Sequence, residues 1–189
     1  MTRVYIETYL HELRVQRQVF RRELEAAEIP VWERPYPGKW SVGETYEHLY
    51  LLLRFMRRWQ NLYLPAARLT GLKTNRPYET ENQDIYAHTM RKKGKAMPSP
   101  PMFKPKGLLK MPTARELERV LDSETHRIDW QLRGWTDAEA AAVRHPDPVA
   151  GWPNVLQGLH TVILHERHHF ALSLVYAQRA RKGLGLYDQ

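Results

Sequence analysis

The sequence predicts an all-α protein: a four-helix bundle of up-down-down-up topology with a long crossover between helices 2 and 3. Three observations carry this. Apolar residues recur at three- and four-residue steps over four long stretches, and helix start and stop signals bracket each stretch. Alternating β patterns are weak, and no Asn-Gly or Asp-Gly hairpin signal occurs. A link of roughly 45 residues between the second and third helices lets them run parallel, whereas short links make neighbours antiparallel. With 189 residues, 42% of them hydrophobic, the chain suits a single domain spanning 1–189.

Each element has its own signal. The first helix runs from about Thr2 to Glu28, with Val4, Tyr5, Tyr9, Leu13, Phe20 and Leu24 at helical steps, and breaks before Pro30, Pro35 and Pro37. Ser41-Val42-Gly43-Glu44 is a capping box, in which the Ser41 hydroxyl and Glu44 carboxylate satisfy each other's backbone amides. The second helix runs from there through Phe55 and Trp59 to about Leu64, where Pro65 is expected to end it. Residues 66–112 form the crossover, with a short helix around Glu79 to Arg91. A second capping box, Thr113-Ala114-Arg115-Glu116, opens the third helix, which Gly134 stops. A short helix around Thr136-Asp137-Ala138-Glu139 precedes the last long one, from Pro153-Asn154 to about Lys182, stopped by Gly183 and Gly185.

The formal net charge of +8 resides mostly in the crossover. Arg91 to Lys110 holds seven basic residues and no acidic one, leaving 22 basic residues against 21 acidic ones elsewhere. Pro98, Pro100, Pro101 and Pro105, with Pro112 just beyond, mark this segment as a loop. Phe103 is its one aromatic, so it reads as a linker or lid and not as a nucleic-acid site. No signal peptide or apolar run of membrane length is evident, which predicts a cytoplasmic protein that does not engage membranes. The chain has no cysteine, which excludes disulfides, thiolate metal sites and a cysteine nucleophile.

Nine histidines remain. In His160-Thr161-Val162-Ile163-Leu164-His165-Glu166-Arg167-His168-His169, the pair His165 and His169 lies four residues apart and so on one helix face. That spacing suits a shared metal ion, and a catalytic zinc site takes three protein ligands. His168 is rotated away from the pair and His160 lies more than a turn below. The remaining candidate is His48, in Glu47-His48-Leu49. At about 1.5 Å per residue it stands roughly 10 Å along helix two, against roughly 16–22 Å for the pair along the last helix, and antiparallel packing brings such heights level to within a turn or two. A solvated histidine-rich helix and a hydrogen-bonded core histidine at position 48 are the structural alternatives. His11, His88, His126 and His145 read as surface or loop residues, and the tryptophans as packing.

The segment Lys39-Trp40-Ser41-Val42-Gly43-Glu44-Thr45-Tyr46-Glu47-His48-Leu49 resembles the Trp-Ser-x-x-Glu-x-x-x-His-Leu signature of the DinB/YfiT-like superfamily. His165-Glu166-Arg167-His168-His169 is similar to its C-terminal His-Glu-x-His-His signature, and Pro101-Met102-Phe103-Lys104-Pro105 to its proline-bearing crossover. The chain departs at Phe170-Ala171-Leu172, where a His-Arg-Gly-Gln-like run is common.

The resemblance implies an up-down-down-up bundle, a homodimer, and a divalent metal, zinc or nickel, held by His48, His165 and His169. It also implies a metal-dependent enzyme acting on a small-molecule substrate: a hydrolase, or a transferase using a low-molecular-weight thiol. A non-catalytic metal-binding or stress-response bundle is the alternative. Glu44, Glu47 and Glu166 are the carboxylates nearest in sequence to the histidines and all three stand as candidates to orient them. The basic, proline-rich crossover is a candidate cover for the site and an attractor for anionic substrates.

Overall fold

Helix starts in this protein are set by side chains that satisfy the first free amides, and three capping boxes are fully formed: Thr113 with Glu116, Thr136 with Glu139, and Asn154 with Gln157. Ser41 and Glu44 make the same reciprocal pair of bonds, at 2.8 and 3.1 Å. The computed structural model describes residues 2–69, 77–82, 99–145 and 151–185. Its helices are α1 (Val4–Ala26), α2 (Val42–Leu69), α3 (Ala114–Gln131), α4 (Asp137–Ala142) and α5 (Val155–Arg181), with a 3₁₀ turn at Pro101–Phe103. Among the described residues there is no strand, only an isolated bridge between Arg144 and Asn154, and no helix is long and apolar enough to cross a membrane.

The four long helices pack in a ring. α1 lies against α3 and α5, and α2 lies against the same two. Across α1 and α3, Arg3 meets Asp129 and Arg21 meets Glu118, so sequence numbers rise on one as they fall on the other. Across α2 and α3 they rise together, from Arg57–Glu124 to Asn61–Gln131. They rise together again across α1 and α5, from Tyr9–His160 to Phe20–Phe170. Between α2 and α5 they run oppositely, with Thr45 beside Ser173 and His48 beside His165. Tyr9, Leu13, Phe20, Tyr46, Leu49, Leu53, Leu117, Leu121, Ile128, Leu159 and Ile163 fill the space enclosed.

α2 does not stop at Pro65. A proline inside a helix loses one hydrogen bond and crowds the carbonyl four residues earlier, at about 3 kcal/mol. Tertiary contacts hold the last turn regardless: Leu64 is buried, Tyr63 and Ala67 pack on the core, and the Arg68 guanidinium sits 4.5 Å from the centre of the Trp135 ring while donating to the Gly134 carbonyl at 2.9 Å. The helix expected around Glu79–Arg91 is not present over 79–82, which belongs to no helix or strand; the rest of it lies outside the described residues. One cap is supplied from a distance: α1 has no side-chain cap of its own, and the buried carboxylate of Asp137, first residue of α4, accepts from the amides of Tyr5 and Ile6, each at 3.1 Å. His145 lies outside the helices, as its reading as a surface or loop residue allows, but it is not at the surface. It is buried, with its ring stacked on Tyr63 at 5.2 Å.

Candidate metal centre

His48 lies in the second turn of α2, between the buried residues Glu47 and Leu49, and faces α5. The four-residue step on α5 aims His165 and His169 back at it. The ring centres are 5.0 Å apart for His48 and His165, 4.6 Å for His48 and His169, and 4.5 Å for His165 and His169. One ligand nitrogen from each of the three falls within 4.8 Å of the others, and His48 Nε2 is 2.9 Å from His165 Nε2. Zinc–nitrogen bonds of about 2.0–2.1 Å in tetrahedral geometry separate ligand nitrogens by about 3.3 Å, a spacing comparable with that of these nitrogens. One turn away, the hydroxyls of Thr45 and Ser173 meet at 2.9 Å and pin the two helices together.

The donor set has the right protonation for metal. Burial lowers the pKa of all three imidazoles. His169 is pulled down to about 3, first by burial and then by repulsion from His48 and His168; His165 is pulled well below the ordinary histidine range by burial and then by His169, His48 and His168. All three are therefore neutral near pH 7, the form in which imidazole binds metals. The tautomer of His48 is also fixed. Its Nδ1 is 2.8 Å from the Phe103 carbonyl oxygen, which can only accept, so Nδ1 carries the proton and Nε2 presents its lone pair to the cluster.

The walls are aromatic. Trp40, just before α2, places its ring 4.9 Å from His48 and stacks on His169 at 6.1 Å, which gives one of the tryptophans read as packing a place at the site. Phe103 is buried and meets Phe55 edge-on at 5.4 Å. The Pro101–Phe103 turn of the crossover thus reaches the cluster through the Phe103 carbonyl on His48. Of its basic run, Lys104, Lys106 and Lys110 are described; Arg91, Lys92, Lys93 and Lys95 lie outside the described residues, as does His88.

The remaining sequence candidates are engaged elsewhere. His168 sits 5.4 Å from the His169 ring, outside the convergent three. His160 accepts from the Asn82 amide and packs on Tyr9, while His11 and His126 are exposed. Glu44 binds Ser41 and Arg34, Glu47 binds backbone amides of the crossover, and Glu166 binds Arg17 and Gln16. The group that orients His48 is a backbone carbonyl 55 residues away, which no side-chain pattern could announce.

A family model described as the DinB superfamily matches residues 7–173, and the chain belongs to that superfamily. No curated protein and no solved structure matches the chain.

Proposed function

We propose that this member of the DinB superfamily is a metal-dependent enzyme in which His48, His165 and His169 hold a divalent cation, zinc or nickel. The observation that carries the reading is the convergence of three neutral imidazoles from two helices, one of them oriented by the Phe103 carbonyl. When bound, a divalent cation supplies Lewis acidity, which makes water or a thiol a nucleophile near neutral pH. Three neutral ligands leave the charge of the ion undiminished, and the Trp40 ring lies against His48 and His169. The reaction is hydrolysis or thiol S-transfer on a small-molecule substrate, and any thiol arrives with the substrate because the chain has no cysteine. The scaffold is read as one up-down-down-up bundle over 1–189, supported by the paired registers of its helices and by a family match that begins at residue 7 and ends at 173.

Metal analysis of protein purified without an affinity tag tests this. Wild type is expected to carry or take up about one equivalent of zinc or nickel, and His169→Ala, which removes one of three ligands, less than about a tenth of that. A wild-type chain that neither contains nor takes up either ion ends the proposal. A substrate panel with and without small thiols separates hydrolase from transferase, and bound metal with no turnover on either panel favours a non-catalytic metal-binding bundle.

A further inference from the structure

Glu47 precedes His48 and is fully buried, yet its carboxylate faces the crossover. It accepts from the amides of Lys106 at 2.5 Å, Leu108 at 3.1 Å and Leu109 at 3.5 Å. Residues 104–109 belong to no helix or strand, so these amides need a partner from outside the segment. Gly107, between them, has φ +74, a conformation that folds successive amides toward one point and that a side chain would strain.

The same segment begins with the carbonyl that fixes His48. Only Lys104 and the stiff Pro105 separate Phe103 from Lys106. Glu47 and His48 thus grip one short piece of crossover from adjacent positions on α2, Glu47 by accepting from its amides and His48 by donating to its carbonyl.

We propose that Glu47 is a positioning residue for His48: by holding the 106–109 amides it keeps the Phe103 carbonyl on Nδ1, and thereby holds His48 in the Nδ1–H tautomer with Nε2 unprotonated and facing His165. The effect on metal affinity rests on the reading of His48 as a ligand; the effect on the tautomer does not.

The test uses metal-free, full-length protein labelled with ¹⁵N-histidine, with the His48 signals assigned by their loss in His48→Gln. Wild type is expected to show His48 as the Nδ1–H form with that proton slow to exchange. In Glu47→Ala the Nε2–H form should appear and the proton should exchange at least about tenfold faster; zinc affinity, read by chelator competition, should fall about 10- to 100-fold. Glu47→Gln, which keeps the volume and one acceptor, should fall between the two and serves if the alanine variant does not fold. A folded variant that keeps the wild-type tautomer and exchange rate overturns the proposal, whatever its zinc affinity. A wild type that shows the Nδ1–H tautomer but takes up no zinc or nickel sinks the metal reading instead.

Discussion

Glu47 and Glu166 make a natural pair for comparison. Each adjoins a histidine of the cluster, each is fully buried, and each turns away from the cluster; what answers the charge differs. Glu166 meets the Arg17 guanidinium in a two-point contact, Nη2 to Oε1 at 2.5 Å and Nε to Oε2 at 2.9 Å, and accepts from Gln16 Nε2 at 3.0 Å. Arg17 in turn reaches Asp122 and Thr125 of α3, so one buried cation ties α1, α3 and α5. Glu47 is answered by backbone amides of a loop whose residues Lys106 and Leu108 are exposed. The Glu166 contact ties α5 to α1 and α3 within the bundle. The Glu47 contact sets only what lies over His48.

The largest effect should follow from breaking the first arrangement. Arg17→Met removes the cation and leaves Glu166 buried without it, which is expected to cost about 3–5 kcal/mol of folding stability. The double variant Arg17→Met, Glu166→Leu removes both charges and should recover most of that loss, because a buried pair replaced by apolar groups is often close to neutral. Urea denaturation of the three proteins measures both. A single variant within about 1 kcal/mol of wild type would show that the buried pair does not anchor α5 in the bundle.

Glu47→Ala should cost less, about 1–3 kcal/mol, since the amides it abandons belong to an exposed loop and water can replace the carboxylate. The contrast sharpens if both variants are also titrated with zinc. Glu47→Ala should lower zinc affinity about 10- to 100-fold, whereas the folded Arg17 double variant, whose changes lie away from the cluster, should bind as wild type does. Equal losses in both measurements for both variants would erase the distinction between a bundle contact and a site contact.

This division also explains what the sequence disclosed. Capping boxes and apolar periods are local, so α1, α2, α3 and α5 were legible, as was the step from His165 to His169 that needs only one helix face. His48 was reachable by elimination and by its motif. Pro65 misled because local chemistry says stop while Leu64 and Arg68 hold the turn through contacts with distant residues. Asp137 capping α1, His145 stacked on Tyr63, and the Phe103 carbonyl on His48 all pair residues more than 50 positions apart, and no spacing rule joins them. The three glutamates beside the histidines looked equivalent in sequence; their partners separate them.

Glu44 completes that series at the weak end. Its carboxylate accepts from the Ser41 amide at 2.8 Å and from Arg34 Nε at 2.9 Å, on a side of α2 where Arg34 is exposed. The Arg34 hydrogen bond, offset in part by burial, holds the Glu44 carboxyl below the ordinary glutamate value. A depressed pKa in the folded state means stability that is present above the unfolded-state value and lost as pH falls through the folded one. Glu44→Gln keeps the capping-box geometry and removes only the charge. The stability gap between wild type and this variant should therefore be small and flat from about pH 6 to 8, and should close as pH drops below about 4. It should also shrink in high salt, as expected for an exposed ion pair. Thermal melts across pH measure the gap, and one that widens toward acid would contradict the assignment. Because Glu44 faces Arg34 and not the histidines, its zinc affinity should match wild type within about twofold; a loss near the tenfold expected for a group that orients a ligand would transfer that role from Glu47 to Glu44.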